Sequence, residues 1–218
     1  MKILIPARGG SKRIPQKNIV DLCGKPLISY AIESSLEITE EVYVSTDSPD
    51  IEKVAKQYGA RVIRRPLSIS TDSCPASYVV NHFLETIPDV GDFIYIQPTS
   101  PLVTSADVER GVSQYKSGGY DTVMAVYEER QFRWAKDGNP DNFERHNKPL
   151  SQDLNSWYVE CGAFYVTTKD NFIKNQSLVG GSVGFLVLPK LRAVDIDNFE
   201  DLKLVESIIK VGDTLDIT

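Results

Sequence analysis

Short apolar runs of strand length alternate along the chain with segments whose apolar residues recur at helical spacing. Lys2-Ile3-Leu4-Ile5 reads as a buried first strand, Val42-Tyr43-Val44-Ser45 as a second, Ala60 to Ile63 as a third and Phe93-Ile94-Tyr95-Ile96 as a fourth. Thr122 to Val126, Gly162 to Val166 and Gly184 to Leu188 continue the series. Between them, Leu27, Ala31, Ile32 and Leu36 predict a helix, and Pro75 to Glu85 and Thr104 to Tyr115 predict two more. Ser48-Pro49-Asp50 opens a further helix, with Ser48 as N-cap and Pro49 at its first position, that runs to about Gly59. A last helix spans about Asn198 to Lys210. Strand–helix alternation at this spacing predicts an α/β fold with a mostly parallel sheet covered on both faces. Ligands of such sheets sit beyond the carboxyl ends of the strands. The loop from Ala7 to Asn18 and the segment Gln97-Pro98-Thr99-Ser100 both open there.

The pattern breaks between Glu128 and Tyr158, a polar stretch with Pro140 and Pro149 and no sustained period. It is too long for an ordinary connection. It holds Phe132, Trp134, Phe143, Trp157 and Tyr158, aromatic residues that are costly to leave in water. The reading is one domain over residues 1–218 with an inserted arm at about 128–158, either a lid or a reach to another subunit.

Composition narrows the function. The chain has 218 residues, 41% hydrophobic and 25% charged, the balance of an ordinary folded domain. A net charge of −6 argues against a general nucleic-acid binder, which needs a basic face. The first 25 residues are nevertheless basic, a distribution suited to a small anion held in one pocket. The three cysteines Cys23, Cys74 and Cys161 form no C-x-x-C pair, and two histidines are too few for a histidine-rich zinc site. With no secretory signal or membrane-length apolar run, the expected location is the cytoplasm, with no membrane partner.

Three constellations carry candidate chemistry. In the first loop, Gly9 and Gly10 let the backbone approach a ligand closely, and Arg8, Lys12, Arg13 and Lys17 place four cations in ten residues. The spacing matches neither a P-loop nor a G-x-G-x-x-G turn, which disfavours a P-loop ATPase and a nicotinamide dehydrogenase. In Val194-Asp195-Ile196-Asp197-Asn198, the two carboxylates share one face if the segment is extended, with Cα atoms roughly 6–7 Å apart. They are placed to hold a hard cation such as Mg²⁺; alternatively Asp197 or Asn198 caps the last helix, with Asp201 supporting its first turn. Arg65, after the third strand, is either a nucleotide contact or a surface arginine. Cys161, beside a strand, reads as a buried and inert thiol.

These pieces, taken in order, resemble the acylneuraminate cytidylyltransferase family. The likeness rests on Ala7-Arg8-Gly9-Gly10-Ser11-Lys12 with Pro15, Lys17-Asn18 and Gly24-Lys25-Pro26-Leu27. Ser45-Thr46-Asp47, Arg65-Pro66, Gln97-Pro98-Thr99-Ser100-Pro101-Leu102, Gly162-Ala163-Phe164-Tyr165 and Asp195-Ile196-Asp197 follow in the family's order. The resemblance implies a Rossmann-like fold of the nucleotide-diphospho-sugar transferase type. It also implies transfer of CMP from CTP to the anomeric hydroxyl of a nonulosonic, sialic-acid-like sugar acid, with release of pyrophosphate. By the same resemblance CTP is held by Ala7, Arg8, Gly9, Gly10, Ser11, Lys12, Lys17, Asn18 and Arg65, and the sugar by Gln97, Thr99, Ser100 and Tyr165. Asp195 and Asp197 are implied ligands of Mg²⁺, and Arg8, Lys17 and Asp195 are implied catalytic residues. A homodimer is implied, with the arm reaching the partner.

Leu150-Ser151-Gln152-Asp153-Leu154 and Cys161-Gly162-Ala163 depart from the sialic-acid members, which have arginine before Gln-Asp-Leu and favour Asn-Gly-Ala. The Ser11 to Pro15 segment and Glu160 lean towards the pseudaminate branch, whereas Gln97-Pro98-Thr99-Ser100-Pro101 resembles the neuraminate and legionaminate branches. The alternatives are an enzyme acting on the eight-carbon acid Kdo and a catalytically silent nucleotide-binding subunit.

Overall fold

Alternating side chains on the central strands decide the layering. A computed structural model describes residues 1–212; residues 213–218, the end of the span expected as one domain, lie outside the described residues. In β1 (Lys2–Pro6), Ile3 and Ile5 point to one face and Leu4 to the other, all three fully buried. A two-residue hairpin follows, β2 (Asp21–Leu22) and β3 (Lys25–Pro26), and leads into α1 (Leu27–Leu36). The chain continues through β4 (Val42–Thr46), α2 (Pro49–Gln57), β5 (Arg61–Arg64), α3 (Ala76–Thr86) and β6 (Asp92–Ile96). It then forms α4 (Ser105–Gly118), β7 (Thr122–Glu129), β8 (Trp157–Thr168), α5 (Lys169–Asn175), β9 (Val183–Leu188) and α6 (Phe199–Gly212).

Among the described residues, seven strands form one sheet in the order β5-β4-β1-β6-β8-β7-β9. Strands β5, β4, β1 and β6 are mutually parallel, and so are β7 and β9; β8 runs antiparallel to both its neighbours. On one face Ile3, Ile5, Val44 and Ile94 pack with Ile28 and Ile32 of α1, Ile51 and Ala55 of α2 and Val108 of α4. On the other, Leu4, Tyr43, Phe93 and Tyr95 pack with Val80, Phe83 and Leu84 of α3 and Phe172 of α5. A third cluster joins Ile14 of the first loop to Leu22, Leu27 and Ile196, and to Leu202 and Val205 of α6. The first loop and the last helix are thereby welded together although they lie at opposite ends of the chain.

The helix starts follow the sequence closely. The Ser48 side chain accepts from the Ile51 amide with Pro49 at the first position, and Thr104 with Asp107 forms a capping box. Two expectations are revised. The strand expected over Gly162 to Val166 is the middle of the twelve-residue β8. The outer halves of β7 and β8 pair from Val126–Glu160 to Glu129–Trp157 past a break in register. Val126 and Tyr127 are still paired with β9, and only Glu128 and Glu129 continue with Tyr158 and Trp157 as a two-stranded ribbon, among residues that alternation alone did not mark. There the ribbon has largely left the packed layers, so no apolar face is demanded. α5 was likewise unmarked, being only seven residues long.

The chain first builds outward from β1 through β4 to β5, then returns to place β6 on the other side of β1. This reversal opens a crevice at the carboxyl ends of β1 and β6. The loops after β1, β5 and β6 all meet there.

One glycine ties α4 to the sheet. A Cβ at Gly111 would lie 2.7 Å and 2.9 Å from the ring of Phe164, which is fully buried. Alanine favours a helix interior over glycine by about 1 kcal/mol. Here overpacking should outweigh that gain, so Gly111→Ala is expected to destabilise the fold by about 1–2 kcal/mol in urea unfolding. An unchanged or raised midpoint would refute the tight α4–β8 contact.

Candidate functional site

The first loop is pinned at three buried points. Ala7 is buried in the core and its amide donates to the Ser45 carbonyl at 2.9 Å. Ile14 is buried against Leu22 and Ile196. Asn18 is buried too, and its Nδ2 donates to the Arg8 carbonyl at 3.0 Å, closing the loop on itself. The Gly9 amide donates to Asp47 Oδ1 at 2.9 Å, and a Cβ on Gly9 would stand 2.8 Å from Ser48 Cβ. Gly9 is therefore required by close packing on the start of α2.

The crevice holds a cavity of about 630 Å³, within the range of small-molecule sites. Arg8, Gly10, Ser11, Lys12, Arg13, Lys17 and Asn18 line it from the first loop, and Arg65, Gln97 and Thr99 from the loops after β5 and β6. Asp195 and Asp197 close it from the segment before α6. Ala7, Gly9, Ser100 and Tyr165 are not among the lining residues. Ala7 and Gly9 support the loop from behind, and Ser100 is buried beside the lining residue Thr99. Tyr165 lines a neighbouring hollow of about 290 Å³ with Glu160 and Ser177, and its hydroxyl donates to the Glu160 carboxylate. Ala76 borders both spaces.

The carboxylate pair is arranged by one buried residue. Ile196, between the two aspartates, is fully buried, and its amide donates to the Thr99 carbonyl at 2.8 Å. Asp195 and Asp197, on either side of it, both line the cavity. The capping work falls to Asn198, whose Oδ1 accepts from the Glu200 and Asp201 amides, while Asp201 accepts from the Asp197 and Asn198 amides. Asp197 is thereby left to face Lys17 Nζ at 3.3 Å and Arg13 at 3.0 Å. Lys17 also donates to the Ile196 carbonyl at 2.8 Å.

Asp195 opens on the cavity yet has protein packed around it. That packing raises its pKa, opposed by a hydrogen bond from Thr99 and assisted by the nearby Asp197 charge. Arg65 is the converse case. Its backbone amide donates to the Thr46 carbonyl at 2.8 Å, and the residue is 7% exposed. Its Nε and one terminal nitrogen are buried without a hydrogen-bond partner. Burial lowers its pKa, partly offset by Asp47, but a guanidinium stays charged. A desolvated cation with unused donors at a cavity wall is built to receive an anion or a carbonyl. Burial pushes the Cys161 thiol up, in keeping with an inert role.

Asp72, Tyr95 and Cys74 are among the lining residues that carried no site assignment from the sequence. Asp72 forms ion pairs with Arg8 and Lys12, Tyr95 supports Gln97, and Cys74 stands in the turn beside Asp72. For Asp72 and Cys74 the only signal was position, since the loop after β5 opens at the same sheet edge; Tyr95 lies near the carboxyl end of β6.

Comparison with known proteins gives the family and the fold. The family described as Cytidylyltransferase matches residues 2–199. An N-acylneuraminate cytidylyltransferase B from Danio rerio is 35% identical over 96% of this chain, and the match covers 51% of that protein. The chain thus spans about half the length of this relative. A pseudaminic acid cytidylyltransferase from Campylobacter jejuni is 34% identical over 96% of each chain. In fold, a CMP:2-keto-3-deoxy-manno-octonic acid synthetase solved with CTP superimposes with a TM-score of 0.71 at 18% identity, covering 97% of this chain and 98% of the other.

The raised pKa of Asp195 has a measurable consequence for the free protein. At about pH 7 the fold opposes ionisation of this group, so Asp195→Asn should raise the melting temperature, by an amount kept small by the residue's exposure. Below about pH 4 the unfolded carboxyl also takes up its proton, and the gap should close. A lower melting temperature for the variant at neutral pH would contradict the crowding of Asp195.

Proposed function

The chain belongs to the cytidylyltransferase family, and from that premise we propose that it transfers CMP from CTP to the anomeric hydroxyl of a nonulosonic acid. The observation that supports this most directly is the cavity itself, where five cations meet two carboxylates of one short segment at the carboxyl edge of a mostly parallel sheet. The sugar hydroxyl attacks the α-phosphorus and its proton passes to solvent; an oxygen–phosphorus bond forms, and the bond to the bridging oxygen breaks. Its electron pair leaves with pyrophosphate. The chemistry needs in-line positioning and neutralisation of charge on the leaving group.

Arg8, Lys12 and Lys17 are assigned to the triphosphate, with Gly10 and Ser11 offering close backbone approach. Arg65 is assigned to the nucleotide, since its unused buried donors suit an oxygen ligand. Gln97 and Thr99 stand beyond them for the sugar, with the Tyr165–Glu160 hollow adjoining. Asp195 and Asp197 fit a Mg²⁺ site: Mg²⁺ is commonly held by one or two carboxylates and substrate phosphates, and Asp195 forms no ion pair among the described residues. When bound there, the ion would polarise phosphate oxygens. We assign the acceptor to the sialic-acid-like acids, with pseudaminate first to be tried because the Campylobacter jejuni relative matches along nearly its whole length.

We also propose a homodimer. The outer face of β9 exposes Phe185 and Val187, and Phe185 meets the exposed ring of Tyr158 at 5.5 Å. Trp134 and Trp157 are about half exposed nearby in sequence on the arm. A second copy is the occupant that fits a contiguous apolar edge beside an arm. No helix among the described residues is long and apolar enough to cross a membrane. The reading places the enzyme in the cytoplasm, where cysteines such as these, joined in no disulfide, stay reduced.

Pyrophosphate release should be assayed with CTP and Mg²⁺ against neuraminate, pseudaminate, legionaminate and Kdo. Turnover of one of the first three is expected; turnover of Kdo alone would overturn the acceptor assignment, and CTP binding without turnover of any acid would favour a silent subunit. Asp195→Asn is expected to lower turnover by at least about a hundredfold while CTP still binds. Near-normal turnover would remove Asp195 from the mechanism. Phe185→Asp should shift the protein from dimer to monomer in light scattering, and a wild-type monomer would refute the interface.

A further inference from the structure

The cations of the first loop are already occupied. Arg8 lies 2.5 Å from Asp72 Oδ1, and Lys12 lies 2.6 Å from Asp72 Oδ2, so one carboxylate bridges both. Its two oxygens occupy the positions in which two phosphate oxygens would meet the same donors. Arg13 and Lys17 share Asp197 in the same manner. The two bridges differ in their mounting. Asp197 lies where its own amide is held by Asp201 and where Lys17 takes a second bond from the chain. Asp72 stands on an exposed turn closed by the Cys74 amide on the Thr71 carbonyl. Its loop is anchored at one end by the Arg65 amide on Thr46 and at the other by buried Val79 and Val80 of α3. The carboxylate is thus easily displaced and held close at high local concentration.

We infer that Asp72 is a positioning residue for the leaving group: it holds Arg8 and Lys12 between turnovers, yields them to the triphosphate, and reclaims them as pyrophosphate departs. The inference rests on the nucleotide reading of the cavity. A loop that grips triphosphate with several cations retains pyrophosphate for the same reason, because the highly charged product keeps those contacts after the bond to CMP breaks. An anion tethered beside Arg8 and Lys12 competes with both the substrate's outer phosphates and the product. It has no such competition with CMP, which lacks those phosphates. The Asp72 carboxylate is partly exposed, so the competition is modest in size.

Calorimetric titration of inorganic pyrophosphate, CTP and CMP into the wild-type protein, Asp72→Asn and Asp72→Ala tests this. Both variants should bind pyrophosphate and CTP about 3–10-fold more tightly, with CMP unchanged and product inhibition by pyrophosphate correspondingly stronger. The alanine variant excludes an effect of the new amide, and a merely structural role for Asp72 would not separate pyrophosphate from CMP. Unchanged or weaker pyrophosphate binding in both variants would overturn the inference. If pyrophosphate binds and CTP fails to displace it, the nucleotide reading fails, while the comparison of variants still judges Asp72. If pyrophosphate does not bind the wild-type protein, the inference falls as well.

Discussion

Five cations facing one cavity repel one another, and that repulsion is the constraint on which the arrangement of the site depends. Arg8, Lys12, Arg13 and Lys17 come from one short loop and Arg65 from another. In the free protein their charge is met by Asp72 and Asp197, each bridging two of them, and by Asp47 near Arg65. The carboxylates are supplied by segments far apart in the chain, so the site is electrostatically complete only once the sheet has formed. A highly charged anion can then enter by exchanging partners instead of meeting bare charges.

The packing serves the same end. Ile14 and Ile196 lie in one apolar cluster with α6, so the cationic loop and the carboxylate segment cannot drift apart without exposing buried surface. Ile196 also stands between Asp195 and Asp197, which both line the cavity. The polar groups at the cavity are thus placed by apolar packing together with backbone hydrogen bonds. Arg65 and Asp195 are left in unfavourable surroundings, one short of hydrogen-bond partners and the other crowded as a carboxylate. Such strained groups are characteristic of sites whose missing partner is a ligand.

The order of strands and helices was legible because burial on both faces imposes continuous apolar runs, and caps such as Ser48-Pro49 and Thr104 mark helix starts locally. The aspartate pair was legible as a shared face, although the sequence left open whether it served a cap or a cation. Placement by the fold separates the two roles between Asn198 and Asp197. The long ribbon of β7 and β8 escaped because its outer half leaves the core, where periodicity carries no message.

By itself the sequence determined the layered α/β fold, the cationic loop after the first strand and the presence of paired carboxylates near the end of the chain. Each is a local property: a hydrophobic period, a run of charge, a spacing of two. Only the tertiary structure decided which of the named residues face the cavity and which support it from behind, as with Ala7, Gly9 and Ser100. It alone brought Asp72 to Arg8 and Lys12, and left Arg65 buried without partners. Those relations depend on distances between loops that the sheet brings together, and no pattern along the chain encodes a distance across it.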